Sequence, residues 1–342
     1  MPGAGPEKDR RRRATPATTM RAIRITAWEQ PPELCEIAAP AAPPGGAVLE
    51  VRGAGLCHSD LHLMHWPAGT LPHRLPFTLG HEVAGTVVEL GPGADGVALG
   101  DEVLVLGRWD PGPSLGLGAD GGLADRVAVP DVRYLVPAAG LDPVSAAPLT
   151  DAALTPYHAI RAALPVLRPG ATSVVIGIGG LGHAAVQLLG LLSQTRVVAV
   201  DRRPQALAIA RDAGADAALD ATVLDGPALR AEVGRAGAAF VMDCVGTDPT
   251  MALAAAAIGP GGRVALVGIG GGTFPMRFGT VPFEATVTFP NWGTHGELVD
   301  VVALARGGHL ALEVEPVALE GVVDAYARLD RGQVTGRVVA VP

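Results

Sequence analysis

Cysteine is scarce in this sequence, and its scarcity excludes two kinds of site. The 342 residues contain only Cys35, Cys57 and Cys244. Three scattered cysteines cannot build a disulfide framework, and without a CxxC pair they cannot form a structural zinc knuckle. The sequence therefore predicts a protein of the reducing cytoplasm.

Charge is also limited, and it is acidic over most of the chain. Charged residues make up 18% and hydrophobic residues 49%, which is typical of a compact globular protein and excludes a disordered one. The formal net charge is −8, but residues 1–19 hold five cationic and two acidic side chains, a net of +3, so −11 falls on the remainder. An acidic body lacks the basic face that nucleic acid requires, so no nucleic-acid partner is expected.

Two segments could suggest contact with a membrane. The Arg cluster in residues 1–19 has no apolar segment after it, so it is not a secretory signal and predicts a disordered basic extension. A tail that touches anionic surfaces is the alternative. Residues 174–192 are uncharged over nineteen positions, but four glycines between Gly177 and Gly182 would be costly in a membrane helix. They predict a strand that turns into a helix, and no membrane partner.

Two patterns divide the chain. Short Val-rich runs bounded by Gly, Pro or Asp, typical of strands with turns, fill residues 21–150. Beyond them apolar strands alternate with helices, which indicates a parallel sheet covered on both faces. The predicted fold class is α/β, with a β-rich part over residues 21–150 and a parallel sheet covered by helices beyond it. Helix-forming sequence near residues 143–164 is expected to break at Pro148 and Pro156.

The motif Gly177-Ile178-Gly179-Gly180-Leu181-Gly182 predicts a nucleotide site. It follows the strand TSVVI and opens a helix, so Gly177 can form the tight turn, Gly179 can admit a pyrophosphate and Gly182 can let helix and strand pack closely. Asp201 ends the next strand, where a carboxylate accepts the ribose hydroxyls and repels a 2′-phosphate. NAD is therefore expected in preference to NADP, although Arg202 and Arg203 could pair with that phosphate. The alternative is a glycine-rich turn with a helix-capping aspartate.

Two later loops should complete this site. In such sheets ligands lie at the carboxyl ends of the strands. Cys244-Val245-Gly246 and Val267-Gly268-Ile269 each follow a predicted strand of the same sheet. Both are therefore expected to line the nicotinamide side of the cofactor.

The stretch GLCHSDLHLMH, residues 55–65, raises the question of a metal site. Cys57 there, His81 in LGHE and Asp151 in PLTDA offer a thiolate, an imidazole and a carboxylate, and a catalytic zinc site needs three protein ligands and an open position. Taken alone, a lone Cys and a lone His are more often core residues than ligands. The residue types by themselves leave both interpretations open.

The segments CHSDLH, LGHEVAGTVVELGPGADGVALGDEV, PLTDA and VVIGIGGLGHAAVQLLG with VVAVD resemble one family. They are similar to the zinc-dependent alcohol dehydrogenases of the medium-chain dehydrogenase/reductase superfamily, over about residues 20–342. The resemblance implies a GroES-like catalytic domain at residues 20–150 and 291–342 and a doubly wound Rossmann domain at residues 151–290, with the active site in the cleft between them. It implies catalytic zinc on Cys57, His81 and Asp151, with Glu82 as an outer or transient ligand.

The resemblance also implies roles for the neighbouring residues. Ser59 matches the hydroxyl that takes the proton of the substrate alcohol, and His62 matches the outer end of that relay. His58 matches a residue that faces the cofactor pyrophosphate. Trp292 resembles a wall of the substrate pocket, and Asn291 before it suggests a roomy, partly polar pocket for secondary or bulky alcohols.

One departure from the family concerns a second zinc. Many members hold a structural zinc on four closely spaced cysteines after the DEV segment, and residues 104–130 contain no Cys here. One catalytic zinc per chain and no structural zinc are therefore expected.

The sequence thus predicts a zinc- and NAD-dependent alcohol dehydrogenase acting on a small-molecule alcohol, aldehyde or ketone, assembled as a homo-oligomer, either dimer or tetramer. A zinc-independent quinone or enoyl reductase of the same superfamily is the first alternative, and members of that class lack the Cys/His/Asp trio. A non-catalytic nucleotide-binding protein is the second, and it should have lost ligands or relay residues.

Overall fold

A computed structural model of the chain describes residues 18–68, 70 and 73–342. The predicted basic extension lies outside the described residues except for positions 18 and 19. The strands described are β1 (Thr19–Ile25), β2 (Glu33–Ala38), β3 (Ala47–Gly55), β4 (Phe77–Thr78), β5 (Glu82–Leu90), β6 (Glu102–Val105), β7 (Ser114–Leu115), β8 (Gly118–Ala119), β9 (Arg126–Val129), β10 (Leu135–Pro137), β11 (Thr172–Ile176), β12 (Arg196–Asp201), β13 (Ala217–Asp220), β14 (Ala238–Asp243), β15 (Ile258–Leu266), β16 (Thr286–Thr288), β17 (Val314–Ala318) and β18 (Arg337–Val341).

The helices connect and cover these strands. The α-helices described are α1 (His58–His65), α2 (Pro143–Ala146), α3 (Leu154–Ala163), α4 (Gly180–Leu192), α5 (Pro204–Asp212), α6 (Gly226–Val233), α7 (Asp248–Ala257), α8 (His295–Arg306) and α9 (Val322–Asp330). Short 3-10 turns occur at Val132–Tyr134, Ala147–Thr150 and Leu319–Gly321. Among the described ranges, no helix is long and apolar enough to cross a bilayer.

The first and last parts of the chain share one sheet. Its strand order is β10-β6-β5-β3-β18-β17, with β9 also paired to β3, and a separate three-stranded sheet has the order β2-β1-β4. β18 runs antiparallel to β3, with Val339 opposite Gly55 and Ala340 opposite Ala54. The C-terminal strand therefore lies directly beside the strand that leads into the Cys57 segment.

The middle of the chain forms the second sheet. Its order is β13-β12-β11-β14-β15-β16 and all of its pairings are parallel. This is the doubly wound order in which ligands bind where the strand order reverses, between β11 and β14. All five residues of β11 are buried, as expected of a strand covered on both faces. The predicted α/β class with a parallel sheet is confirmed.

The segment from 143 to 163 connects the two sheets. The 3-10 turn Ala147–Thr150 packs on β3 and β5 of the first sheet, and α3 packs on α4 of the second. The expected break at Pro156 does not occur, because Pro156 is the third residue of α3. In the first turn of a helix the missing N–H has no intrahelical partner to lose.

Helix α1 was not predicted, because the pattern of residues 21–150 indicated only strands and turns. It has eight residues, and Asp60, Leu61, Leu63 and Met64 are all buried. These positions lie on one face of the helix, but the buried Asp60 is polar, so the face does not form an apolar stripe in the sequence. The helix is held at its start by a hydrogen bond from the Cys57 N–H to the Asp60 carboxylate, at 3.0 Å.

Candidate active site

Three side chains from distant parts of the chain lie close together in the interior. Cys57 caps the start of α1, His81 immediately precedes β5, and Asp151 ends the turn that follows α2. One donor atom from each lies within 4.8 Å of the others, and all three residues are buried. The Asp151 Oδ2 atom is 3.9 Å from the Cys57 Sγ atom and 3.6 Å from the His81 Nε2 atom.

These distances suit a shared tetrahedral ion. Zinc bound at about 2.0–2.3 Å to nitrogen, oxygen and sulfur keeps its ligand atoms roughly 3.4–3.8 Å apart. The donor set of thiolate, imidazole and carboxylate leaves the fourth position free for a substrate oxygen, as catalytic zinc sites do. Within the described residues, the trio is the one cluster of three or more such donors that could hold an ion.

The electrostatics of the trio follow from burial and close opposite charges. Burial alone lowers the pKa of His81, but the charge of Asp60 and the hydrogen bond to Asp151 outweigh it and hold that pKa well above its usual value. Burial raises the pKa of Asp151, and the hydrogen bond and charge of His81 with the charge of Arg337 bring it below the ordinary value. The Thr155 hydroxyl also donates to Asp151 Oδ1 at 2.7 Å. Asp151 is therefore fixed as a carboxylate.

Asp60 organises two members of the trio at once, a role that the sequence did not suggest. Its Oδ2 atom accepts the Cys57 N–H, and its Oδ1 atom lies 3.3 Å from the His81 Nδ1 atom. The carboxylate is fully buried. A carboxylate against one imidazole nitrogen directs the other nitrogen toward a metal. The CHSD spacing contained this residue, but only the structure brings it to His81.

Glu82 does not join the trio, because its carboxylate is occupied by Arg337. The Arg337 Nε atom donates to Glu82 Oε2 at 2.8 Å and its Nη2 atom donates to Oε1 at 2.5 Å. The Ala152 N–H donates to the same Oε1 at 3.0 Å. Arg337 is 4% exposed and also approaches Asp151 Oδ2 at 3.4 Å. A Cβ atom at Gly180 would lie 2.8 Å from the Arg337 Nη1 atom, so the guanidinium reaches from the trio to the glycine loop.

Helix α1 presents the predicted relay residues beside the trio. The Ser59 Oγ atom is 3.5 Å from the Cys57 Sγ atom. His62 lies three residues later on the same helix face, is half-buried, and has its pKa lowered by burial and by the charge of His65. His58 begins the helix with an exposed edge, and its pKa is lowered to about 4 by desolvation and by the charge of Arg337. Both imidazoles are therefore neutral near pH 7.

The glycine motif forms the turn between β11 and α4. Gly177 has φ +86°, a conformation that side chains rarely adopt. A Cβ atom at Gly182 would overlap the Gly177 carbonyl oxygen, whereas a Cβ at Gly179 would meet nothing within 4 Å. Helix α4 begins at Gly180 and continues through Leu181, so its free N–H groups face the open side of the turn. The geometry provides a space for phosphate at the start of a thirteen-residue helix.

Asp201 ends β12 beside this turn. Its Oδ2 atom accepts the Ile178 N–H at 2.7 Å, and its Oδ1 atom accepts the Arg203 N–H at 2.9 Å. The Arg203 side chain also donates to Asp201 and to the Val334 carbonyl. Arg202 is exposed and makes none of these contacts. Asp201 is therefore a buried acceptor at the position expected for the ribose.

The two predicted nicotinamide loops are joined by a residue that the sequence analysis missed. Asp243, at the end of β14, accepts the Val245 and Gly246 N–H groups through its carboxylate, at 2.8 and 3.0 Å. Its main-chain carbonyl accepts the Val267 and Gly268 N–H groups at 2.8 and 3.0 Å. Asp243 thus fixes the 244–246 and 267–269 segments against each other. Burial raises the pKa of the Cys244 thiol, while Ile269 is exposed.

Trp292 lies directly against the trio. It is 3% exposed, and its ring centroid is 5.9 Å from that of His81 at an interplanar angle of 76°. Its φ of +52° is unusual for a bulky residue. The neighbouring Asn291 is exposed. Trp292 therefore walls the His81 side of the site, and Asn291 faces solvent.

Two family descriptions match the chain. "Alcohol dehydrogenase GroES-like domain" matches residues 43–140, and "Zinc-binding dehydrogenase" matches residues 180–306. The first range contains Cys57 and His81. The second begins within the glycine motif.

Similar proteins extend over nearly the whole chain. A D-arabinose 1-dehydrogenase (NADP(+)) of Saccharolobus solfataricus is 33% identical over 88% of this chain and 91% of its own. An NAD-dependent alcohol dehydrogenase of Sulfurisphaera tokodaii is 30% identical over 94% of this chain and 100% of its own. Among solved structures, the alcohol dehydrogenase of Aeropyrum pernix superposes with a TM-score of 0.86 at 29% identity, covering 94% of this chain and 100% of that one. The acetophenone reductase of Geotrichum candidum, in complex with NAD, gives 0.85 at 26% identity, covering 96% and 99%.

Proposed function

The chain belongs to the zinc-type alcohol dehydrogenases of the medium-chain dehydrogenase/reductase superfamily, and from this premise we propose how its own residues perform that reaction. It is an oxidoreductase that interconverts an alcohol and the corresponding carbonyl compound with a nicotinamide cofactor. The observation that carries the proposal is the buried meeting of Cys57, His81 and Asp151. A zinc-independent reductase has no use for this trio, and a non-catalytic nucleotide-binding protein has no reason to keep it beside Ser59 and His62.

The trio would hold one catalytic zinc ion. When bound, zinc supplies a Lewis acid that lowers the pKa of the substrate alcohol, and the nicotinamide accepts the hydride. Asp60 orients His81, and Thr155 and Arg337 keep Asp151 ionised. Ser59 accepts the alcohol proton and His62 passes it to solvent, which its neutral state near pH 7 allows.

The cofactor site favours NAD. Asp201 would accept the adenosine ribose hydroxyls, the turn at Gly177–Gly182 and His58 would face the pyrophosphate, and the loops fixed by Asp243 would line the nicotinamide. The NADP(+) named for the similar D-arabinose dehydrogenase, together with exposed Arg202 here, makes the comparison of the two nucleotides part of the test.

The substrate is a secondary or bulky alcohol or its carbonyl counterpart. Trp292 closes one wall of the site and exposed Asn291 opens a polar side. The names of the two similar proteins, a D-arabinose dehydrogenase and an acetophenone reductase, support substrates larger than a short primary alcohol. One zinc per chain is proposed, because residues 104–130 contain no cysteine that could hold a structural zinc.

The assembly is a homo-oligomer built on the free edge of the Rossmann sheet. β16 pairs only with β15 among the described strands, so its other side is open. Three phenylalanines around it are exposed, Phe278 by 92%, Phe283 by 76% and Phe289 by 74%. Pairing with the same edge of a second copy would bury these rings and satisfy the open backbone groups.

The test compares Cys57→Ser with Cys35→Ser, a matched exchange on the outer strand β2. Cys57→Ser should reduce bound zinc from one per chain toward none and abolish turnover, while NADH still binds by fluorescence titration. Cys35→Ser should keep both zinc and activity. A panel of alcohols and ketones, each run with NAD and with NADP, then ranks substrates. Full activity of Cys57→Ser, or full activity of the wild-type protein without zinc, would refute the proposed mechanism.

A further inference from the structure

A buried tyrosine holds the carboxylate that orients two members of the trio. The Tyr326 hydroxyl donates to the Asp60 Oδ2 atom at 2.7 Å. Tyr326 lies on α9 and is 2% exposed, and Asp60 is fully buried. The two residues are 266 positions apart in the chain.

The three contacts of this carboxylate divide between its two oxygens. Oδ2 accepts both Tyr326 and the Cys57 N–H. Oδ1 and the His81 Nδ1 atom lie 3.3 Å apart, and neither has a hydrogen-bond partner elsewhere among the described residues. Because two donors fix Oδ2, the plane of the carboxylate is fixed, and Oδ1 is left for the imidazole.

We propose that Tyr326 is a positioning residue of the metal site. Through its hydrogen bond to Asp60 it fixes the orientation of the His81 ring and the position of the Cys57 backbone. This inference rests on the proposed zinc function. Without the hydroxyl, Oδ2 keeps one donor, and the carboxylate can rotate away from His81. A ligand that must be reordered on each binding event binds the ion more weakly, as loss of outer-shell partners generally does, by about 10–100-fold.

The experiment measures zinc affinity by chelator competition in Tyr326→Phe and in the matched control Tyr157→Phe. The Tyr157 hydroxyl also bonds an aspartate, Asp300 at 2.9 Å, but the side chains of this pair bond each other and Arg161, not Asp60 or the trio, among the described residues. Tyr326→Phe should weaken zinc binding about tenfold and alter the visible spectrum of the cobalt(II)-substituted protein. Tyr157→Phe should leave both unchanged. Equal affinity and equal spectra for Tyr326→Phe and wild type would overturn the inference.

Two further variants separate positioning from general packing. Leu329→Ala weakens the packing of α9 but keeps the hydroxyl, so it should lower the unfolding temperature without weakening zinc binding. In an Asp60→Asn background, adding Tyr326→Phe should change zinc affinity less than threefold if Tyr326 acts through Asp60. If Leu329→Ala also weakens zinc binding, or if the losses of zinc affinity in the double variant are fully additive, Tyr326 does not act through Asp60 and the inference fails. Wild-type protein that binds no zinc would instead refute the proposed function.

Discussion

Replacing Arg337 with Ala would remove a guanidinium that stands among the buried acidic groups of the active site. Arg337 is 4% exposed, makes two hydrogen bonds to Glu82 and approaches Asp151 at 3.4 Å. Breaking a buried ion pair by removing one partner costs about 3–5 kcal/mol, because the remaining charge is buried without compensation. With an unfolding entropy of about 2.1 cal/mol/K per residue, the chain should lose about 4–7 °C of its unfolding temperature.

The assay is calorimetry of the zinc-loaded protein, with Arg328→Ala as the control. Arg328 pairs with Glu315 at the surface, where both side chains are more than a third exposed, so its loss should cost at most about 1 kcal/mol. Arg337→Ala should also weaken NADH binding, because its Nη1 atom adjoins Gly180. Equal temperature shifts for the two variants, with unchanged NADH affinity, would refute the reasoning about this charge.

Three further predictions address the relay, the nucleotide and the assembly. Burial and the charge of His65 lower the pKa of His62, so alcohol oxidation should fall with decreasing pH only below the ordinary histidine pKa of about 6.5. His65→Gln removes a charge that lowers the pKa of His62, so the inflection of the pH–rate profile should move to higher pH. An inflection that does not move would show that a group other than His62 controls it. Asp201→Asn removes the charge and keeps one of the two oxygens that accept the Ile178 and Arg203 N–H groups. Because the repulsion of a 2′-phosphate is lost, kcat/KM for NADP relative to NAD should rise about tenfold, or ~1.4 kcal/mol; an unchanged ratio counts against the ribose assignment. Phe283→Ser with Phe289→Ser should lower the mass found by light scattering if the β16 edge joins two copies, and an unaltered mass would place the interface elsewhere.

The contacts of Arg337 give the two halves of the site a common support. One side of its guanidinium faces Glu82 and Asp151, and the other approaches Gly180 at the start of α4. An ion held by the trio and a phosphate at the glycine turn would therefore sense the same charge. We expect changes at Arg337 to affect both zinc retention and cofactor binding, unlike changes at Cys57.

Local sequence determined the parts whose chemistry is local. The turn at Gly177 needs a positive φ, and Gly182 needs the absence of a side chain, so a GxGxxG between a strand and a helix predicts its own geometry. Alternating apolar strands and helices predict a covered parallel sheet for the same reason. The Cys57, His81 and Asp151 motifs were assigned to a metal through family resemblance, and the residue types alone left that assignment open.

Only the tertiary structure decided what surrounds the trio. Glu82 meets Arg337 across 255 positions, and Asp60 meets Tyr326 across 266. Those meetings depend on the register of β18 against β3 and on the packing of α9 against α1, which are fixed by the whole core and not by any nearby pattern. Periodicity indicates which face of an element is buried, but long-range packing decides which residues pack against that face. Here that packing brings Arg337 to Glu82 and Tyr326 to Asp60.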